Sequence, residues 1–214
     1  MKDEATLSAA REDIEYLLQT APALPAVQIQ HALLLNAEGD VQGAMKVLNF
    51  LRVNDLENQR AIQVSVLILV RNRQAADAVL VLYRSRHPRT RERLAGDLFG
   101  LAGQAKTKAD KTMLLREHAF VTALDEIAVH PSGKAAMDAA KKFLQYKAPT
   151  GQKDMRGLIL YAALLLAQND RTGAETIAGS AQTRSLLPTH RRMMKSIIKD
   201  LLAIPAWRAI LGDE

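Results

Sequence analysis

The sequence predicts an all-α protein of stacked antiparallel helix hairpins, a short, irregular α-solenoid or a helical bundle. Three observations carry this expectation. Apolar residues recur at intervals of three and four, as in Ile14, Leu17 and Leu18, or Ile197, Ile198, Leu201 and Leu202, whereas strict alternation is nearly absent. Polar turn signals interrupt these segments at short intervals, so neighbouring helices should fold back on one another. Aromatic residues make up only 4% of 214 residues, which leaves Ala, Leu, Val and Ile to build the core.

The elements follow from the punctuation. The first helix ends at Pro22 and Pro25, and Gly39-Asp40 is a turn whose aspartate can cap the next helix. Further breaks stand at Asn54-Asp55, Asn72, His87-Pro88, 130–133, 148–151, Asn169-Asp170, 187–189 and Pro205, with Ser132, Asp170 and Thr189 as candidate N-caps. About ten or eleven helices result. The Val- and Ile-rich run Ile62 to Leu69 could be a strand by composition, but it has no ladder to join and is expected as a buried helix. The chain is expected to form one all-α domain over 1–214. It subdivides into N-terminal hairpins (1–88), a basic Gly-containing segment (89–116), and C-terminal hairpins with a capping helix (117–214).

Several hairpins look alike. Segments 33–48, 66–80, 123–140 and 164–178 each join an apolar helix end, a polar turn and a second helix opening with small residues. Aligned on Ala44, Ala76, Ala136 and Ala174, they stand near one, three and four units of a repeat of about 32 residues. A small residue lets two helices approach at their crossing, and the residue four further on fills the space beside it, as Leu48, Leu80 and Ala178 would. Across these positions the chain resembles the tetratricopeptide repeat over 25–88, 117–149 and 155–188. The early Trp of that family is replaced by Gln28, Arg60 or Leu158, and its Tyr by Leu35, Leu67 or Leu165, while 89–116 does not match. The resemblance implies stacked hairpins with a concave face that binds peptides. A generic helical bundle of similar Ala/Leu hairpins is the alternative. Residues 14–51 also resemble a three-helix ubiquitin-associated or CUE-type module, or the helical start of elongation factor Ts, through Gly39, Asp40, Val41 and Ala44; Ala21-Pro22 stands where Phe-Pro would be.

Charge is uneven. The chain carries a net +6, yet residues 1–59 hold four Lys/Arg against nine Asp/Glu, residues 83–118 nine against four, and residues 184–214 six against three. Arg84, Arg86, Arg89, Arg91 and Arg93 form one basic group. Arg191, Arg192, Lys195 and Lys199, beside His190, can place a positive face on one helix with Met193, Met194, Ile197 and Ile198 opposite. Together they are the candidate partner- or anion-binding residues. Trp207, in the C-terminal tail, is either packed inward or an interface anchor.

Candidate chemistry is sparse. Cysteine is absent, which excludes disulfides, thiolate metal sites and a cysteine nucleophile. The chain holds no phosphate-binding loop, nucleophile elbow or zincin motif. None of the five histidines has a second His or a carboxylate at i+3 or i+4 after it, the spacing typical of a helical zinc site. Asp125 and Glu126 are adjacent, so on a helix they point apart. Gly96, Gly100 and Gly103, at i, i+4 and i+7, lack the strand and the Lys-Ser/Thr of a phosphate loop. They are expected to form a smooth packed helix face with a basic outer side, a flexible joint being the alternative. No segment reaches the ~20 apolar residues of a membrane span, and the acidic N-terminus is unlike a signal peptide. The expected protein is a cytoplasmic, non-enzymatic scaffold or adaptor without a cofactor, binding a segment of a partner protein; a nucleic-acid-associated protein using the basic faces is the alternative.

Overall fold

The three-and-four spacing folds as it reads. A computed structural model describes residues 4–54, 59–84, 91–129, 133–146, 154–181, 186 and 188–212. Among them are thirteen helices and no strand, an all-α fold of helices packed on their neighbours. Packing divides the chain into two compact units, residues 1–88 with 103–111, and residues 89–102 with 112–214.

The first unit contains α1 (Glu4–Thr20), α2 (Pro25–Glu38), α3 (Val41–Asn54), α4 (Gln59–Arg71) and α5 (Ala75–Arg84). Pro25 opens α2 at its first turn, where the missing N–H is no loss. Each helix packs on the next in sequence. Ile29, Ala32, Ala44, Leu48, Leu51, Ala61 and Ile68 form the shared core. The run Ile62 to Leu69 is helical, within α4.

The second unit holds most of α6 (Arg91–Gln104) and α7 (Lys108–Val129), followed by α8 (Lys134–Gln145), α9 (Met155–Ala167), α10 (Arg171–Gly179), α11 (Pro188–Met193), α12 (Lys195–Leu201) and α13 (Pro205–Leu211). Helix α9 is its axis. It is apolar nearly all round, is buried continuously from Met155 to Leu160, and packs against α8, α10 and α12.

Three hairpins, α2–α3, α4–α5 and α9–α10, share one turn. Gly39, Arg73 and Asn169 take positive φ at the same point. The following N–H groups of Asp40, Gln74 and Asp170 return to the carbonyls of Leu35, Leu69 and Leu165 at 2.8–2.9 Å. Asp40 and Asp170 then accept from the N–H groups of Gly43 and Gly173, each at 2.8 Å. In this register Ala44 and Ala174 match Ala78, all fully buried, with Leu48, Leu82 and Ala178 buried one turn on. Ala76 is exposed. The sequence alignment on Ala76 is therefore two residues out, because three alanines crowd the start of α5 and only the positive-φ position fixes which one faces α4.

The glycine face is also corrected. Leu94, Ala95, Leu98, Leu101 and Ala102 form the buried side of α6. Gly96, Gly100 and Gly103 are exposed, and a Cβ added at any of them would meet nothing. The apolar residues outcompete the glycines for the core because burial rewards area. No helix among the described residues is long and apolar enough to cross a membrane.

Candidate binding groove

The last three helices build the site. Pro188 starts α11. The chain bends at Met194, whose φ and ψ of −99° and 11° leave the regular helical region. A fully buried Met194 therefore separates α11 from α12, and the basic residues expected on one helix sit on two. Ile197, Ile198 and Leu201 turn α12 inward, and α12 packs on α9. Trp207 fixes α13: the indole is fully buried, and its Nε1–H donates to the Ala174 carbonyl at 2.9 Å. This corrects Trp207 as an interface anchor. A buried indole needs an acceptor, and the carbonyl supplied by α10 ties α13 into the unit.

A groove of about 860 Å³ runs along these helices. Arg191, Arg192, Lys195 and Lys199 line it, joined by Arg91 from the start of α6. Met193, Ile198, Leu202 and Leu211 supply apolar surface, and no carboxylate is among the lining residues described. Five of the nine expected basic residues thus converge. Arg93 is exposed on α6 but does not line the groove. Arg84 belongs to the first unit, where its cation, after burial, lowers the pKa of Arg52. Arg86 and Arg89 lie outside the described residues.

The five cations differ in role. Arg191 is half-buried and donates from Nη2 to the Leu211 carbonyl at 2.6 Å, capping the C-terminal end of α13. Arg91, also half-buried, donates to the Leu124 carbonyl at 3.3 Å. Arg192, Lys195 and Lys199 are exposed. A neighbouring cavity of about 370 Å³ shares Arg91 and Ser196 with the groove. Leu124, Ile127, Ala163, Leu166 and Ile197 make it mostly apolar, with Asp200 as its carboxylate.

Behind α11 lies a buried charge cluster that is not among the residues expected from the sequence. The Arg156 guanidinium pairs bidentately with Glu117 at 2.6 and 2.9 Å and with Asp154 at 2.7 Å. Arg116 also donates to Asp154, which caps α9 through the Arg156 N–H. The guanidinium lies 4.6 Å from the ring centre of Phe120 and 5.3 Å from that of Phe143. His190 enters from α11, its Nε2 3.1 Å from Arg156 Nη1. An arginine can only donate, so Nε2 accepts and the imidazole is neutral with its proton on Nδ1. Burial first, and then the Arg156 cation, push the His190 pKa down to about 4. Burial opposes ionisation of Asp154, but the hydrogen bonds and charges of Arg156 and Arg116 outweigh it and hold its carboxyl below the usual range. The carboxylates are committed to guanidinium partners. The cluster acts as a fastener: it holds α11 through its inward His190 and leaves Arg191 and Arg192 to the groove.

One signal for the cluster is in the sequence. Arg156 is a lone charge at the start of an almost wholly apolar helix, two residues after a capping aspartate. A buried guanidinium there demands carboxylates. Comparison of the chain with protein-family models, with curated proteins and with solved structures yields no match.

Proposed function

We propose that the chain is a cytoplasmic, non-enzymatic adaptor that holds a segment of a partner protein in the groove of α11, α12 and α13. The convergence of five cations around apolar residues, with no carboxylate among the described lining, carries this reading. Apolar surface supplies affinity, and the cations orient the partner and raise its association rate. The hairpin repeated at Ala44, Ala78 and Ala174 supports a helical-repeat scaffold, since such scaffolds act by presenting surfaces. Nucleic acid fits less well. Stacking platforms need exposed aromatic rings, the groove lining holds none, and Trp207 is buried elsewhere.

The test is affinity capture from the native cell with the wild-type chain and a Lys195→Glu, Lys199→Glu variant, with and without nuclease. A partner protein retained after nuclease and lost with the variant is the expected result. A partner lost on nuclease treatment replaces this reading with the nucleic-acid one.

A further inference from the structure

We propose that the occupant of the groove is an acidic amphipathic helix of a partner protein, anchored by one bulky apolar side chain in the cavity beside it. The inference rests on the binding role proposed above and adds the chemistry of the ligand. Charge complementarity fixes the sign: Arg192, Lys195 and Lys199 project from two successive turns of chain, and among the described lining residues there is no carboxylate. The apolar residues between them fix the second property. A polyanion with no apolar face would leave the half-buried Met193 and Leu202 facing water or polar atoms, whereas an amphipathic helix covers them and turns its acids to the rim.

The cavity fixes the third property. Its 370 Å³ lies at the smaller end of sites that enclose a ligand group, and it opens beside Arg91 and Ser196, which line both spaces. Its walls of Leu124, Ile127, Leu166 and Ile197 suit a Leu, Met or Phe side chain. Asp200 at this cavity disfavours an acid there, so the acidic and apolar positions of the occupant are not interchangeable. The recognised feature is thus a helix with glutamates or aspartates along one edge and a large apolar residue at a fixed offset from them.

The probe is a fluorescein-labelled peptide of about 14 residues, some four helical turns, with Leu and Phe at i, i+3, i+4 and i+7 and Glu elsewhere. It is titrated with the full chain at about 0.15 M salt. Three controls accompany it: the same peptide with Ala at the apolar positions, one with Lys for Glu, and a single-stranded oligonucleotide of matching charge. The acidic apolar peptide should bind in the micromolar range expected of a small interface. Lys195→Glu with Lys199→Glu should weaken it by about tenfold or more. Ala163→Leu, which fills the cavity, should weaken it similarly while leaving the far weaker Ala peptide unchanged. The inference is overturned if the Ala peptide binds equally well, if Ala163→Leu has no effect, or if the oligonucleotide displaces the peptide at lower concentration. If the peptide fails while capture of a native partner still depends on Lys195 and Lys199, the adaptor reading stands and only the ligand chemistry falls. If both fail, both fall.

Discussion

Replacing Arg156 by Met keeps an unbranched apolar stem and removes the guanidinium from the buried cluster. Glu117, only 6% exposed, then loses two charge-assisted hydrogen bonds, and Asp154 loses one of its two arginines. Removing one partner of a buried pair costs roughly 3–5 kcal/mol. For a chain of this size that is a fall in Tm of about 10 °C. The cost should depend on pH in a particular way. His190 Nε2 lies 3.9 Å from Glu117, and Arg156 is the cation that most disfavours its protonation. Without Arg156 the imidazole can take a proton and become the counter-ion of Glu117. The His190 pKa should therefore rise from about 4, and the stability deficit of the variant should be smaller at pH 5 than at pH 8. Urea unfolding followed by circular dichroism at both values measures the deficit, and the His190 Cε1–H resonance follows the titration. A loss below about 1 kcal/mol at pH 8, or a His190 that titrates near 6.5 in the wild type, would refute the fastener. Replacing the pair together, Arg156→Met with Glu117→Leu, should recover much of the loss, because an apolar substitute for a whole buried pair is often neutral.

In the wild type, His190 also sets a pH window. The unfolded imidazole takes its proton below 6.5 and the folded one only near 4, so stability should fall as pH drops between these values, by on the order of 3 kcal/mol in total; urea midpoints across that range check it. Gly96→Ala and Gly100→Ala should each raise stability by about 1 kcal/mol, because the new methyl meets nothing and helix propensity improves; thermal melts read the gain, and a loss would mean the glycine face is covered. Ala78→Leu should cost roughly 1–3 kcal/mol by overpacking, while Ala76→Leu on the exposed side should stay within about 0.5 kcal/mol. Equal effects in chemical denaturation would reject the register of the shared turn.

The helices were legible because their signal is local. Spacing of apolar residues and the caps at Asp40 and Asp170 each act within a few residues and stand where read, whereas Pro25, read as ending the first helix, opens α2, and Thr189, read as a cap, lies inside α11. The run of charge at Arg191, Arg192, Lys195 and Lys199 was legible, but the bend at Met194 that divides it between α11 and α12 was not. What escaped is whatever depends on distant contacts. Asp154 and Arg156 are neighbours in sequence, but Glu117 and His190 lie more than thirty residues from Arg156, and nothing in the local spacing predicts that they meet it. Sequence also could not divide the cations by role: Arg191 looks like Arg192 until the Leu211 carbonyl is found beside it. The glycines of α6 misled because small residues suit both a close crossing and an empty surface, and only the competition with Leu94, Leu98 and Leu101 decides.

The two sides of α11 have separable fates. His190 and Arg191 hold its position, one in the charge cluster and one on the end of α13. Arg192, with Lys195 and Lys199 on α12, carries charge at the surface. Exposed charges contribute little to stability, so these three positions can be rewritten without disturbing the backbone that presents them. Exchanging them for Glu would turn the same framework toward basic helices, and exchanging them for Ser would leave a surface ranked by apolar fit alone. A library randomised at these three positions would therefore sample new specificities at almost constant folding stability, which makes this corner of the molecule a natural starting point for selecting binders of a chosen peptide.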